Sequence, residues 1–309
     1  MRKIAFLFDG QGAFKPGIGR ELYNRYKKAK EIIDKSCDLL NYDLKKYLWG
    51  EEASKTPSFT SIAQPAISVV SLAYAEILKE MGVWGAVSLG HSLGEATAVI
   101  YCEGTNFDDG IRIIKKRGEV MEKGGKEGTM MAVMGMDIKL LEAECERVSS
   151  EINEPVVIAN INAPNQIVVS GSKEGIKIIA QFASQNKGRG ILLDVGGAWH
   201  SPYLKEAAAE FGQFLDTIEF RDAQRDFYSV VEQKVIITGS EIKNALKRQM
   251  LSQVNWVRAI ENIKDSGYEF FLEIGPSKIL KDLVAKIAPE IKVDSTALYT
   301  EMEQLVKNL

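Results

Sequence analysis

Hydrophobic and polar positions along the chain fall into blocks that predict alternating strands and helices. An apolar run at residues 3–8 predicts a buried strand that runs into the loop Asp9-Gly10-Gln11-Gly12, and residues 83–89 predict a second strand. Apolar residues recur at helical spacing over residues 20–40, 60–81 and 108–123. Strands that alternate with helices in this way are typical of a largely parallel α/β sheet.

The pattern changes after the glycine-rich segment at residues 123–128. From there to Gly196-Gly197 it predicts the order strand, helix, strand, strand, helix, strand, over residues 129–134, 137–150, 156–161, 166–170, 173–184 and 190–195. The earlier pattern then resumes, with strands at 227–231 and 268–274 and helices at about 201–217, 240–251, 254–265 and 277–287. We therefore expect an α/β protein with two domains. The α/β-hydrolase-like large domain (residues 1–124 and 197–309) has a parallel sheet, and a small ferredoxin-like (βαββαβ) domain is inserted at residues 125–196.

Composition and charge narrow the class of protein. The chain has 309 residues, of which 45% are hydrophobic and 26% charged, as in a globular protein with ample core. A net charge of −3 argues against nucleic acid as a partner. The three cysteines, Cys37, Cys102 and Cys145, have no metal-ligand spacing and cannot close a disulfide framework, which favours a reduced, cytoplasmic setting. The first apolar run is too short for a signal peptide, and no run approaches the roughly 18 apolar residues of a membrane span.

The strongest chemical signal is Gly90-His91-Ser92-Leu93-Gly94, a G-x-S-x-G pattern between a predicted strand and a predicted helix. Such an elbow presents the serine hydroxyl above the sheet, and the free N–H groups at the helix start suit an oxyanion. The alternative is a chance match, which the strand–turn–helix context disfavours. The sequence therefore predicts that Ser92 is a nucleophile.

A serine nucleophile needs a base, and the chain has only two histidines. His91 is adjacent to Ser92 on a tight turn, so its side chain is expected to point elsewhere. His200 follows a Gly-Gly loop and precedes the helix start Ser201-Pro202, and it is the predicted base. The alternative is a histidine that only hydrogen-bonds the backbone at a helix start. In α/β-hydrolases the acid lies between the serine and a late histidine, and no histidine follows residue 200 here.

A different serine acyl-transfer family fits better. The chain resembles the malonyl-CoA:acyl carrier protein transacylases and the acyltransferase domains of fatty-acid and polyketide synthases over essentially all its length. Seven motifs occur in that family's order: Phe8-Asp9-Gly10-Gln11-Gly12, Ala63-Gln64-Pro65-Ala66, Gly90-His91-Ser92-Leu93-Gly94-Glu95, Arg117-Gly118 followed by Met121, Asn162-Ala163-Pro164 with Gln166-Ile167-Val168, Gly197-Ala198-Trp199-His200-Ser201-Pro202, and Glu273-Ile274-Gly275-Pro276.

The resemblance implies a role for each matching position. Ser92 would be acylated and His200 would be its base, oriented by a backbone carbonyl at the position of Gln249. The backbone N–H groups of Gln11 and Leu93 would form the oxyanion hole, and Arg117 would bind the free carboxylate of a malonyl group. The remaining pocket residues implied by the family are Gln64, Met121, Asn162 and Trp199.

The chemistry of arginine supports its role independently, because a guanidinium grips a carboxylate with two parallel charge-assisted hydrogen bonds. The alternative is that Arg117 continues the solvated run Lys115-Lys116. The chain departs from the family at Asp9, where proline is usual, at Ala13-Phe14, and at Trp199, where phenylalanine is usual. The first two departures lie beside the expected oxyanion loop. Glu95 is expected to brace the elbow helix and not to act as an acid.

The resemblance implies an enzyme that moves a malonyl group from malonyl-CoA to the phosphopantetheine thiol of acyl carrier protein, through an acyl-serine ester and without a metal or other cofactor. Three alternatives stay open. They are an acyltransferase serving a polyketide assembly line in trans, an editing acyl-thioester hydrolase, which typically lacks the arginine, and a non-catalytic module that binds carrier proteins.

Overall fold

The computed structural model describes residues 3–309, and two sheets organise this part of the chain. The strands are β1 Ile4–Phe8, β2 Val87–Gly90, β3 Gly128–Met134, β4 Val156–Ala163, β5 Gln166–Ser172, β6 Arg189–Leu192, β7 Asp226–Ser229, β8 Lys234–Ile236, β9 Val254–Asn255, β10 Phe270–Ile274 and β11 Lys292–Ser295. The helices are α1 Arg20–Arg25, α2 Lys27–Leu40, α3 Leu44–Leu48, α4 Thr60–Glu80, α5 Leu93–Tyr101, α6 Phe107–Lys123, α7 Ile138–Ile152, α8 Lys173–Gln185, α9 Lys205–Asp216, α10 Gly239–Gln249, α11 Trp256–Asp265, α12 Ile279–Ile287 and α13 Met302–Asn308.

The larger sheet has the order β11-β10-β1-β2-β7-β8, and its strands are parallel except for the antiparallel pair β7–β8. Every residue of β1, β2 and β10 is buried, which is why their sequences are largely apolar, with Ser88 and Glu273 as the polar exceptions. The carboxyl ends of these three neighbouring strands meet at one edge of the sheet. The loops that follow them therefore lie side by side.

The smaller sheet has the order β6-β3-β5-β4-β9. Its first four strands are antiparallel neighbours, whereas β9, from the later part of the chain, adds to β4 in parallel. The helices α7 and α8 bury one apolar face each, and a separate hydrophobic cluster joins them to the strands. Asp137 caps α7 by accepting hydrogen bonds from the backbone N–H groups of Lys139 and Leu140. From β3 to β6 the chain order is strand, helix, strand, strand, helix, strand, as the sequence predicted.

Several element boundaries differ from the prediction. The helix expected over residues 20–40 is two helices, because Tyr26 takes an extended conformation (φ −113°, ψ 121°). Its hydroxyl donates to Glu303 and accepts from the backbone N–H of Met302, so a contact with the C-terminal helix replaces helix continuity. The helix expected from residue 254 begins at Trp256, because Val254 and Asn255 pair with β4.

The strand expected over residues 190–195 ends at Leu192. The backbone N–H of Val195 donates to the carbonyl of Leu193 in a tight turn, which takes the chain out of the sheet. Similarly, β7 ends at Ser229 because the N–H of Val230 donates to the Glu95 carboxylate and not to a strand. Strands β8 and β11 and helices α3 and α13 were not predicted.

Helix α4 qualifies the expectation that no segment could span a membrane. By length and composition alone it is apolar enough to do so. Most of it is buried within the protein, however, and its neighbours are α2 and α6. Such burial is typical of a core helix that packs on other helices.

Candidate active site

The nucleophile candidate lies on a sharp turn between β2 and α5. Ser92 has φ 52° and ψ −99°, a strained combination for a residue with a side chain. The turn needs glycine on both sides. A Cβ on Gly90 would lie 1.9 Å from the backbone carbon of Gly94, and a Cβ on Gly94 would lie 1.9 Å from the carbonyl oxygen of Phe8. The elbow predicted from the sequence is therefore present, and it places the Ser92 hydroxyl at the carboxyl edge of the sheet.

His200 approaches Ser92 from the opposite side of the site. Its Nε2 lies 2.7 Å from Ser92 Oγ, and its Nδ1 lies 3.2 Å from the carbonyl oxygen of Gln249 and 3.0 Å from that of Ser252. Carbonyl oxygens only accept hydrogen bonds, so the ring proton belongs on Nδ1 and Nε2 can accept the serine proton. Burial lowers the pKa of His200 to about 3, with smaller contributions from the Arg117 and His91 charges. The ring is thus a neutral acceptor at neutral pH.

His91 points away from Ser92, as expected for its neighbour on the turn. Its Nε2 donates to Asn162 Oδ1 at 2.8 Å, and its ring packs edge-on against Trp256 at 5.6 Å between centroids. Burial lowers the pKa of His91. His91 therefore links the elbow to the smaller sheet through Asn162, and it does not reach the serine hydroxyl.

Arg117 is fully buried on α6, so it does not continue the solvated run Lys115-Lys116. Its Nη2 donates to Ser92 Oγ at 3.0 Å and to Gln249 Oε1 at 2.8 Å, and its Nη1 donates to Gln64 Oε1 at 2.9 Å. Burial lowers the pKa of Arg117 to about 10. Within residues 3–309 no carboxylate forms an ion pair with it. The site therefore holds a buried cation whose hydrogen-bond partners are all neutral.

The overall match of the chain to known proteins identifies its family. The family model described as "acyl transferase domain" matches residues 5–304 of this chain. The chain belongs to the acyl transferase domain family. It is 35% identical over 312 aligned positions to a malonyl CoA-acyl carrier protein transacylase of Bacillus subtilis, covering 100% of this chain and 98% of the relative.

Solved structures agree with this assignment of family. A malonyl CoA-acyl carrier protein transacylase of Clostridium perfringens superposes with a TM-score of 0.93 at 30% identity, covering 99% of this chain and 96% of the other. A malonyl-transacylase solved in complex with a type II polyketide synthase acyl-carrier protein superposes with a TM-score of 0.94 at 26% identity, covering 99% of this chain and 100% of the other.

In this acyl transferase, the side chain of Gln249 connects the arginine to a buried acid. Its Nε2 donates to Glu95 Oε2 at 2.8 Å and to the carbonyl oxygen of Ser92 at 2.7 Å, while its Oε1 accepts from Arg117. Glu95 also accepts from Ser229 Oγ and from the N–H of Val230, and burial raises its pKa. Glu95 is thus a brace of the elbow helix, as the sequence suggested, and Gln249 holds its carboxylate apart from the arginine.

The residues expected to form the oxyanion hole lie on two adjacent loops. Leu93 is the first residue of α5, where backbone N–H groups have no partner within the helix. Gln11 begins a single 3-10 turn after β1. A Cβ on Gly10 would lie 3.1 Å from the carbonyl oxygen of His91, so the two loops are in close contact. The Gln11 side chain accepts from Gln64, which also donates to Met121 Sδ at 3.4 Å.

A cavity of about 400 Å³ opens over Ser92 and His200, between the two sheets. The smaller sheet contributes Met130, Asn160, Asn162 and Val168, and the segment after β6 contributes Leu193, Asp194 and Val195. Trp199 lines this cavity, whereas the side chains of Leu93, Gln64 and Met121 are buried behind it. A larger groove of about 710 Å³ lies elsewhere, against α2 and α4, and contains neither Ser92 nor a histidine.

Two features of the site have no signal in the sequence. The carbonyl of Ser252 is closer to His200 than that of Gln249, but a backbone acceptor leaves no residue-type signature. The bridge that the Gln249 side chain forms between Arg117 and Glu95 depends on where α10 ends.

Within the described residues no group of three or more His, Cys, Asp or Glu side chains could hold a metal ion.

Proposed function

We propose that this acyl transferase moves a malonyl group from malonyl-CoA to the phosphopantetheine thiol of acyl carrier protein, as part of fatty-acid synthesis. One observation carries the choice of acyl group. Arg117 is a buried cation that has no carboxylate partner among residues 3–309, and it lies 3.0 Å from the Ser92 hydroxyl. Leaving such a charge without an anionic partner is costly, and the carboxylate of a malonyl group supplies the missing charge.

The proposed cycle has two half-reactions that share one base. His200 Nε2 takes the proton of Ser92 Oγ as that oxygen attacks the thioester carbon, and the carbonyl oxygen becomes negative against the N–H groups of Gln11 and Leu93. The carbon–sulfur bond then breaks, and His200 returns the proton to the departing coenzyme A thiolate. In the second half-reaction the carrier thiol gives its proton to His200 and attacks the ester, and Ser92 recovers its proton.

The remaining predicted residues position the arginine and the acyl group. Gln64 and Gln249 hold the guanidinium from two sides, and Met121 packs against Gln64. Arg117 has five N–H groups, of which one on Nη1 has no partner in the described part of the chain and one on Nη2 points at Ser92. These two are available for a bidentate carboxylate. The cycle uses no metal and no redox cofactor.

We further propose the domain division expected from the sequence, with a ferredoxin-like unit at residues 125–196 inserted in a hydrolase-like domain. The order β6-β3-β5-β4 with α7 and α8 supports it. The two segments that connect the units also lie side by side, since the backbone N–H of Ala198 donates to the carbonyl oxygen of Gly125 at 2.8 Å. We place the enzyme in the cytoplasm, which the three free cysteines support.

Intact mass measured after mixing with malonyl-CoA tests this function. We expect one malonyl adduct on the wild type, located on Ser92 by peptide mapping and discharged when holo acyl carrier protein is added. Ser92→Ala should fold normally and gain no adduct. A stable stoichiometric adduct on Ser92→Ala, or the absence of one on the wild type, would contradict the proposal.

The same measurement separates the alternatives. Rapid loss of the adduct to water without a carrier would identify an editing hydrolase, although the retained Arg117 argues against that activity. A protein that binds the carrier but gains no adduct would be a non-catalytic module, against which the bonded pair Ser92–His200 argues. Comparing discharge by fatty-acid and polyketide carriers distinguishes the proposed role from service to a polyketide assembly line.

A further inference from the structure

Besides Glu95, a pair of buried acidic residues lies beside the active site. One of the pair is Asp9, the residue that stands where the family usually has proline. Asp9 follows β1 and Glu273 lies on the neighbouring strand β10, and their exposed fractions are 2% and 0%. Within residues 3–309 neither carboxyl group forms an ion pair with a lysine or arginine. Asp9 also lines the cavity that contains Ser92. Two buried carboxyl groups without a cation are stable only if one of them is neutral.

Counting protons shows which one is neutral. Ser277 Oγ lies 2.7 Å from Glu273 Oε1 and 2.9 Å from Asp9 Oδ1, but a hydroxyl has one proton to donate. Both oxygens of Glu273 also accept from backbone N–H groups at the start of α12, Oε1 from Leu280 and Oε2 from Lys281. The three groups are all satisfied when Asp9 donates to Ser277 Oγ and Ser277 donates to Glu273. The other Asp9 oxygen then accepts from the N–H of Ser277 at 3.2 Å.

The surroundings of Asp9 agree with a neutral acid. Burial raises the pKa of Asp9 well above its usual value, and the adjacent Glu273 raises it further, against a smaller lowering by Ser277. Tyr74 on α4 is a further titratable group that interacts electrostatically with Asp9, and burial raises its own pKa to about 12. The hydroxyl of Thr296, after β11, donates to the carbonyl oxygen of Gly275 and so is not aimed at either acid.

The carboxyl of Asp9 fixes the loop that leads to the expected oxyanion hole. Gly275 leaves room for it, since a Cβ there would lie 2.2 Å from Asp9 Oδ2. The backbone of Asp9 packs on the elbow, because a Cβ on Gly94 would lie 2.9 Å from the Asp9 carbonyl oxygen. Gly10 and Gln11 follow directly. A displacement of Asp9 therefore moves both the Gln11 N–H and the support beneath Leu93.

We propose that Asp9, neutral and hydrogen-bonded through Ser277 to the Glu273 carboxylate, is a positioning residue for the oxyanion loop, and that loss of its proton slows acylation of Ser92 at alkaline pH. The inference rests on the proposed function, because it concerns the acylation step. When Asp9 ionises, two like charges face each other across Ser277, whose single proton can serve only one of them. Repulsion then moves Asp9 and the loop that follows it.

The rate of the first half-reaction as a function of pH tests this inference. Acylation by malonyl-CoA is followed by rapid quench and intact mass from pH 6 to 10 in the wild type, Asp9→Asn and the control Asp265→Asn, an exposed aspartate at the end of α11. Asparagine reproduces the neutral acid, since its amide donates to Ser277 Oγ and its oxygen accepts from the Ser277 N–H. We expect the wild type and the control to lose about tenfold in rate per pH unit above the midpoint, and Asp9→Asn to keep its rate up to the pH of about 10 at which Arg117 titrates.

A second variant, Glu273→Gln, tests whether the alkaline midpoint of the acylation rate shifts in the expected direction. Glu273→Gln removes the charge that raises the pKa of Asp9, so its alkaline midpoint should move to lower pH. Because this substitution also affects the start of α12, its thermal unfolding is measured alongside to confirm that it is folded. If Glu273→Gln does not fold, the comparison between the wild type and Asp9→Asn decides alone.

Thermal unfolding as a function of pH is a readout that does not depend on activity. The folded wild type keeps a proton on Asp9 that the unfolded chain releases above its ordinary pKa of about 3.8. Stability relative to Asp9→Asn is therefore full below that pH and is lost as pH rises through the higher folded pKa. The unfolding temperature of Asp9→Asn should exceed that of the wild type by a margin that widens over this range and then stays constant.

Three results would overturn the inference. They are a wild-type rate that does not fall before Arg117 titrates near pH 10, an Asp9→Asn profile that falls in parallel with the wild type, and a margin in unfolding temperature that is independent of pH. Absence of any adduct on the wild type at pH 7 would instead contradict the proposed function, and the unfolding experiment would still test the state of Asp9.

Discussion

At the scale of single residues, His200 controls the pH range over which the proposed nucleophile is active. Its folded pKa of about 3 lies below the ordinary value of 6.5, so the neutral, proton-accepting form persists as pH falls. We expect kcat/KM for malonyl transfer, which reports the free enzyme, to stay nearly constant from pH 7 to pH 5. Stopped-flow assays over this range check it. A tenfold fall per unit beginning near pH 6.5 would show that the base titrates normally.

The same pKa shift predicts how stability depends on pH. Folding lowers the pKa of His200, so above pH 6.5 the group is neutral in both states and its contribution is complete. Below that pH the unfolded chain binds a proton that the folded protein excludes, and the contribution is lost. Thermal unfolding of the wild type and of His200→Ala at pH 5 and pH 7 isolates this contribution from that of Asp9, which changes in the opposite direction. A stability difference between the two proteins that is the same at both pH values would contradict the prediction.

Arg117 is expected to select acyl groups that carry a carboxylate. Arg117→Ala should lose malonyl transfer by about 1.5–3 kcal/mol, roughly ten- to a hundredfold or more in rate, and acetyl transfer far less. Lys116→Ala is the matched control, because Lys116 lies on the same helix and pairs with Glu210 at the surface. Competition between the two thioesters measures the ratio in each variant. Equal losses for both acyl groups would assign Arg117 a structural role.

Site residues whose side chains belong to a recognisable motif were predictable from the sequence, whereas contacts made by backbone groups were not. Ser92 and His200 are 108 residues apart and lie 2.7 Å from each other, as the motif order implied. The carbonyl of Ser252 and the bridge from Glu95 through Gln249 depend on the end of α10, which the sequence places only approximately. The role of Asp9 was visible only as a departure from the family, because its partner is 264 positions away on another strand.

At the scale of elements, the strand–elbow–helix unit depends on close packing of backbone against backbone. We expect Gly94→Ala to unfold at a clearly lower temperature, because its Cβ would overlap the carbonyl oxygen of Phe8 and that backbone is held in the sheet. Gly212→Ala is the matched control. It lies within α9, where a Cβ approaches only a Lys247 side-chain carbon at 3.8 Å, and alanine favours a helix by about 0.5–1 kcal/mol. Thermal unfolding of both variants measures the difference, and equal stability would contradict the packing argument.

The elements that the sequence missed are those that tertiary contacts create. Tyr26 breaks the first long helix although no glycine or proline marks the position, because its hydroxyl bonds to α13. β11 has four residues, Lys292–Ser295, of which only Ser295 is fully buried, so it carries no apolar run to detect. The buried strands β1 and β10 carry such runs and were predicted within one or two residues.

At the scale of the whole molecule, the cavity exists because the two sheets face each other across the elbow. Trp199 lies where the chain returns from the smaller sheet, and it belongs to the main hydrophobic core with Met130 and Val168, which also line the cavity. Its exposed fraction is 7%, and its indole N–H has no hydrogen-bond partner within the described residues. The side chain therefore packs in the core and also bounds the space above Ser92.

This position predicts which acyl groups fit. An α-methyl branch would share space with an indole that is held by the surrounding core, and close-packed sites tolerate an added methyl poorly, typically at about 1–3 kcal/mol. We expect malonyl-CoA to be preferred over methylmalonyl-CoA by at least about tenfold, and Trp199→Ser to relax this preference. Trp84→Ser is the matched control, since Trp84 is 46% exposed and does not line the cavity. Competition between the two thioesters gives the ratio in each protein. Unchanged selectivity in Trp199→Ser would assign the indole to packing alone, and a wild type that favours methylmalonyl-CoA would contradict the choice of substrate.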